Sequence, residues 1–291
     1  MAVLFERMLI AGVGLIGGSL GLAARGRRLV NESVGYGRGE ENLKIARERG
    51  AIDRYSRSAQ EAARGADLIV LAVPVRSLRA VAEQLLPHAA PDAVVIDVGS
   101  VKQRVVEALE PVVRPPAAFV ACHPIAGTEH SGAANALVDL FEDQLCVVTP
   151  TAHTDAGALA RVRALWEGAG MRVEMMPAAE HDRLLALVSH LPHVVAYALI
   201  AASEAERVAG RDPLAYSGGG LRDTTRIASS HPEMWRDIFL DNRAEVLRAI
   251  DGFGDAVARL RRMIESEEPH ALEAELDRTR AARRRLKERR A

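Results

Sequence analysis

Cysteine is nearly absent: the 291 residues hold two, Cys122 and Cys146. Two thiols make no disulfide framework in a chain this long, and a reducing cytoplasm is the expected setting. Neither lies in a CxxC or other metal-ligand spacing. Both sit in apolar runs and read as small core residues, so no metal site is expected. Net charge is almost missing too, at −1. No bulk field draws the chain to nucleic acid or an anionic membrane. The exception is the densely basic stretch 278–290, read as a solvated helical tail. Long apolar runs are scarce. Residues 8–24 are apolar behind Arg7, but six of them are glycine or serine. That pattern suits neither a signal peptide nor a membrane span. No other segment reads as long enough to span, so a soluble protein is expected.

What is present is core material. Apolar residues make up 48% of the chain, enough for two domains at roughly 150 residues each. Short apolar runs recur at residues 8–11, 33–36, 67–73, 93–98, 117–122 and 145–149, with a last one at 172–176. They are continuous rather than alternating, as in parallel strands buried on both faces. Helical stretches such as 42–49 and 77–86 lie between them. This order predicts a Rossmann-type doubly wound α/β sheet over residues 1–176. After Pro177, which is well placed to open a helix, strand signals vanish. Helical patterns cover 179–206, 234–265 and 269 to the end, predicting an all-α domain over 177–291. Residues 188–202 are apolar enough to be buried all round, and a homodimer interface would bury them.

The first strand runs into Gly12-Val13-Gly14-Leu15-Ile16-Gly17. Strand, GxGxxG and helix together form a dinucleotide fingerprint. Gly12 permits the tight turn, Gly14 lets backbone approach the pyrophosphate, and Gly17 lets helix and strand pack closely. The helix N-terminus then faces the phosphates. Leu15 and Ile16, with Val73 and Pro74 at the end of the third run, are further cofactor-binding candidates. An acidic residue ending the second strand would select NAD through the ribose 2′-hydroxyl. Here Gly37 stands in that place and Arg38 follows. Arg38 could pair with a 2′-phosphate, stack on adenine or face solvent, so NAD and NADP both stay open.

Two strand ends carry chemistry: Asp97-Val98-Gly99-Ser100-Val101-Lys102 and His123-Pro124-Ile125-Ala126-Gly127-Thr128-Glu129. Ligands of open α/β sheets collect beyond strand carboxyl ends, so Ser100 and His123 should share a crevice with the nicotinamide. Histidine suits an alcohol losing hydride because it titrates near neutrality. The helical half holds Ser189-His190-Leu191-Pro192-His193 and Gly218-Gly219-Gly220-Leu221-Arg222-Asp223-Thr224-Thr225-Arg226. The two histidines read as a core pair or as site residues. The arginines read as a carboxylate clamp or as surface residues on a capped helix.

The motifs VGLIGGS, DVGSVK, HPIAGTEHSG, VSHLPH, GGGLRDTTRIA and MWRDIF, in this order, resemble the prephenate dehydrogenase family, which includes arogenate and cyclohexadienyl dehydrogenases. The resemblance runs from about Met8 to Leu260. It implies oxidative decarboxylation of prephenate, or of arogenate, with hydride passing to NAD or NADP. By resemblance, His123 takes the ring hydroxyl's proton and Ser100 assists. Arg226 binds a substrate carboxylate, His193 lies by the substrate, and Gly220 and Thr128 line the same pocket. His190 supports the site or the interface. Leu221 and Thr224 stand where phenylalanines are common, which leaves side-chain discrimination open. No chorismate mutase or ACT segment is recognisable, so any tyrosine inhibition is expected to be competitive. Two other readings remain. A β-hydroxyacid dehydrogenase or imine reductase would carry a lysine or aspartate on the helix that here bears His190 and His193. A silent dinucleotide sensor would not need Ser100, His123 and Arg226 together.

Overall fold

The computed structural model describes residues 3–128 and 130–288. Glu129, quoted above within HPIAGTEHSG, and the last residues of the basic tail lie outside the described residues. Six parallel strands form one sheet: β1 (Phe5–Ala11), β2 (Val30–Tyr36), β3 (Arg54–Ser56), β4 (Leu68–Leu71), β5 (Val94–Asp97) and β6 (Ala118–Val120). Their spatial order is β3-β2-β1-β4-β5-β6. The crossovers carry α1 (Leu15–Gly26), α2 (Glu40–Glu48), α3 (Ala59–Ala63), α4 (Leu78–Leu85) and α5 (Gln103–Leu109). The chain leaves β1 in one direction, then returns to its other side at β4. That reversal opens a crevice beyond Ala11 and Leu71, where open α/β sheets bind ligands.

Burial explains the unbroken apolar runs. Leu68, Ile69, Val70 and Leu71 are all fully buried. Alternate residues face two cores: Met8, Ile10, Val70 and Ile96 join one, while Leu9, Ala11, Ile69 and Val95 join the other. Strand β3 is not apparent as an apolar run, because Arg54, Tyr55 and Ser56 form a short, half-buried edge.

The last three strands correct the expectation of one sheet. Strand β7 (Cys122–Ile125) pairs antiparallel with β8 (Leu145–Val148), which pairs parallel with β9 (Arg172–Met175). Helix α6 (Ala156–Gly168) links the latter two. The apolar run 117–122 is therefore split between two sheets. At the break, the Asp97 carboxylate takes the Cys122 N–H at 3.1 Å, so β5 stops pairing there and its neighbour turns away.

Helices follow: α7 (Ala178–Leu185), a π turn (Ala186–His190), α8 (Leu191–Glu204), α9 (Gly219–Thr225), α10 (Pro232–Asp241), α11 (Arg243–Glu265) and α12 (Pro269–Glu288). Pro177 caps α7 from outside rather than forming its first turn. The helical run read as 234–265 is two helices, because it breaks at Asn242, whose side chain is committed to other elements.

The run from Ala178 to Glu204 corrects the expectation that no further segment is long enough to span. It is one helical stretch of 27 residues holding an 18-residue window of mean hydropathy 1.8, long and apolar enough by length and composition to cross a membrane. Nor is it buried all round within the chain, since Leu187 is 52% and Val188 71% exposed.

By its contacts the chain divides into residues 1–243 and 244–291. Helix α7 is bound into the first unit because Asp182 accepts the backbone N–H groups of Lys102 and Gln103, at 2.7 and 2.9 Å. The second unit holds most of α11 and all of α12, a pair of helices with mostly exposed side chains.

Candidate active site

The fingerprint lies at the reversal point. Gly12 has φ +92°, and a Cβ there would stand 2.3 Å from the Ala72 carbonyl oxygen. Gly12 also donates its N–H to Tyr36 O at 2.9 Å, closing the turn. A Cβ on Gly17 would meet Gly12 O at 2.4 Å and Ile10 at 2.8 Å, so α1 rests directly on β1. Gly14 differs, because nothing lies within 4 Å of its missing Cβ. It caps α1 with no side-chain hydrogen bond, and the first turn holds no acidic residue. A bare helix N-terminus beside open space fits a pyrophosphate. Leu15 is buried and Ile16 half-buried in that first turn. Val73 packs beside Gly12, and Pro74 follows it. Arg38 is exposed just beyond β2. Asn42 fastens the loop by donating to Val13 O at 2.7 Å and accepting from Ala133 N at 2.9 Å.

Beyond β5 a buried ion pair organises the reacting groups. Asp97 and Lys102 are both fully buried and hydrogen-bonded to each other. Lys102 Nζ also donates to Cys122 O at 2.7 Å, and Asp97 receives the N–H groups of Gly99 and Cys122. A buried pair is tolerated only when its remaining donors and acceptors are met in this way. It ties the turn carrying Ser100 to the strand carrying His123. Ser100 is half-buried in that turn.

His123 is buried on β7 and joined to two residues the sequence reading missed. Its Nδ1 lies 2.7 Å from His181 Nε2, and His181 Nδ1 lies 2.8 Å from Asp182 Oδ1. Burial works against the Asp182 charge. Hydrogen bonds from His181 and from the Gln103 and Lys102 backbones outweigh it and hold the carboxyl below its ordinary value. Burial keeps His181 below 6.5, against the pull of Asp182. Burial first, then His181, Lys102 and His190, put His123 well below 6.5. An ionised Asp182 therefore accepts a hydrogen bond from the Nδ1–H of a neutral His181. The remaining nitrogen of His181 must accept, so His123 donates through Nδ1. The tautomer follows from this chain of partners. It leaves His123 Nε2 as a bare lone pair, with no partner among the described residues.

His190 is fully buried, with Nδ1 3.1 Å from Asn242 Nδ2, and burial brings it down to about 4. Asn242 also donates to Asp182 O at 2.8 Å, joining both histidine segments. His193 is half-buried, stacks on Trp235 with ring centroids 3.3 Å apart, and donates to Ser189 O. The remaining candidates lie on exposed segments. Gly220 is in α9, Arg226 begins the 3-10 turn after it, and Thr128 is in the loop beyond β7, accepting His130 N–H.

These neutral histidines set a pH dependence of stability. A folded pKa below 6.5 means the unfolded chain takes up protons first as pH falls. The stability contributed by His123, His181 and His190 is thus complete above pH 6.5 and lost below it. Thermal melts should be flat above pH 6.5 and fall steadily toward pH 4, the value near which His190 titrates when folded. A melting temperature constant over that interval would contradict the neutral assignment.

The chain resembles known proteins in both sequence and structure. The model of the prephenate dehydrogenase nucleotide-binding domain matches residues 20–175, and that of the family's dimerization domain matches 177–278. The chain belongs to the prephenate dehydrogenase family. Cyclohexadienyl dehydrogenase of Zymomonas mobilis is 39% identical, covering 91% of this chain and 90% of that protein. Prephenate dehydrogenase of Bacillus subtilis is 34% identical over 92% of this chain and 72% of its own. Among solved structures, A. aeolicus prephenate dehydrogenase with hydroxyphenyl propionate and NAD+ superposes with a TM-score of 0.92. It is 37% identical and covers 97% of this chain and 98% of that one. The chain is thus an NAD(P)-dependent oxidoreductase of this family.

Proposed function

We propose that this family member oxidises and decarboxylates prephenate to 4-hydroxyphenylpyruvate. The supporting observation is the chain Asp182–His181–His123, which leaves a lone pair on His123 Nε2. Bound NAD(P)+ supplies the hydride acceptor. His123 Nε2 takes the hydrogen bond of the C4 hydroxyl and draws its proton as hydride leaves C4. The resulting carbonyl receives the electron pair released when CO2 departs from C1. His123 then returns the proton, giving the phenol and restoring the lone pair. Atoms and charge balance without any other reactant, and aromatisation drives the step. The protein mainly positions groups and holds charge. Ser100, in the turn tied to β7, is assigned to steady the same hydroxyl.

Arg226 is assigned to a substrate carboxylate, with His193, Gly220 and Thr128 beside the substrate. The side chain of Arg226 suits a bidentate grip. Arg226→Ala should raise KM for prephenate about tenfold or more, the loss of roughly 1.5–3 kcal/mol for a hydrogen bond to a charged group. Steady-state kinetics with both reactants varied check this. A rise confined to the cofactor KM would remove the assignment.

We further propose that the exposed apolar side of Ala178–Glu204 is covered by a second copy of the chain. Leu187 and Val188 are the exposed apolar anchors, and the dimerization-domain match begins at 177. A reducing compartment is proposed from Cys122 and Cys146, both free and buried.

A further inference from the structure

We propose that Arg38 and Arg57 hold the 2′-phosphate of NADP, so the chain takes NADP in preference to NAD. The inference rests on the reading of the chain as an NAD(P)-dependent enzyme and asks which dinucleotide it selects. Strand β2 ends at Tyr36, and its partner in β3 is Ser56. The next residues, Gly37 and Arg57, leave the ends of these neighbouring strands side by side. In NAD-selective sites a carboxylate stands here to accept the ribose 2′-hydroxyl. Gly37 supplies none. A Cβ at Gly37 would meet only Leu43, at 3.8–4.0 Å, and no positive φ is required there. Neither packing nor backbone conformation therefore forbids a side chain at Gly37. The missing carboxylate leaves room that a larger 2′ group can use.

Two cations flank that room. Arg38 is exposed and makes no hydrogen bond or ion pair among the described residues. Arg57 is exposed and held at 3.8 Å by Glu40. The acids nearby are partly occupied. Glu40 also pairs with Lys44 at 3.5 Å, and Glu61 accepts from Ser56 at 2.8 Å. Asp53 pairs with Arg25 at 2.8 Å. Glu41, exposed in the first turn of α2, is the one carrying no such contact among these. A dianionic phosphate between two guanidinium groups gains bidentate ion-paired hydrogen bonds that an uncharged ribose hydroxyl cannot make.

The test needs a binding readout and a rate. Calorimetry with 2′,5′-ADP and 5′-AMP should show the 2′-phosphorylated probe binding at least about tenfold tighter, one strong charged contact's worth. Arg38→Ala should erase most of that margin while leaving 5′-AMP affinity unchanged. With prephenate, kcat/KM should favour NADP over NAD. Gly37→Asp, which restores the carboxylate, should reverse the order. Equal binding of the two probes, a margin untouched by Arg38→Ala, or NAD favoured by the wild-type chain would each overturn the proposal. If the probes separate as expected but prephenate is not oxidised, the cofactor inference stands and the substrate reading fails. If prephenate is turned over with NAD alone, the substrate reading stands and the cofactor inference fails.

Discussion

His123→Asn should bind prephenate and dinucleotide normally yet lose about 10²- to 10⁴-fold in kcat, the range supplied by a positioned general base. Asparagine can still donate from its amide to His181 Nε2, so the buried chain is not cut and the fold should hold. What it lacks is a lone pair of histidine basicity facing the hydroxyl. The loss should therefore appear in kcat with KM nearly constant. Stopped-flow and steady-state measurements of reduced nicotinamide, together with a melting curve, check both halves. In the wild-type chain the acidic limb of kcat/KM should lie well below pH 6.5, because burial holds His123 neutral. A near-normal kcat in the asparagine variant would remove His123 from the chemistry.

Asp182→Asn should be nearly as damaging, although Asp182 is not assigned a contact with substrate. Its two oxygens accept from Lys102 N, Gln103 N and His181 Nδ1. An asparagine has one acceptor and a donor where these N–H groups point. At least one donor is left buried and unmet, at about 1–3 kcal/mol. His181 is also released to carry its proton on Nε2, which then faces His123 Nδ1. His123 must accept there and move its own proton to Nε2, the wrong atom for taking a hydroxyl proton. Serine proteases with the equivalent substitution lose about 10⁴-fold in kcat through a wrong tautomer. We expect at least about 10²-fold here, since a minority of correct tautomer persists. The discriminating comparison is with His181→Gln, whose amide can present an acceptor to His123. That variant should retain more kcat than Asp182→Asn. Equal losses, tracking stability alone, would reduce Asp182 to a structural residue.

Much of this was legible in the sequence, for physical reasons. Parallel strands buried on both faces leave continuous apolar runs, so β1, β4 and β5 were visible as β-type segments. The fingerprint was visible because Gly12 and Gly17 are required by contacts no side chain would survive. Strand β3 was not visible, being short, polar and half-buried. The second sheet was hidden because the run 117–122 carries β6 on to Cys122, the first residue of β7, whose N–H goes to the Asp97 side chain. The segment 188–202 read as a surface for a second copy to bury, and within the single chain Val188 is 71% exposed.

The site was half legible. Ser100 follows the end of β5, where ligands gather, whereas His123, expected at a strand end, lies within β7. His181 and Asp182 sit in a polar helical turn after Pro177 that resembles any solvated N-terminus. Their signal was an adjacent histidine and aspartate, and nothing local revealed that both are buried. Lys102 and Asp97 stood in plain view around Gly99 and Ser100. Nothing local showed that a lysine and an aspartate five residues apart would be buried together as a pair.

The most direct test is to mix the purified chain with prephenate and NADP or NAD, and to count products. The account predicts prephenate-dependent formation of reduced nicotinamide, 4-hydroxyphenylpyruvate and CO2 in equal amounts, at a rate that His123→Asn all but abolishes. Reduction without loss of CO2, or no reduction with either dinucleotide, would contradict it.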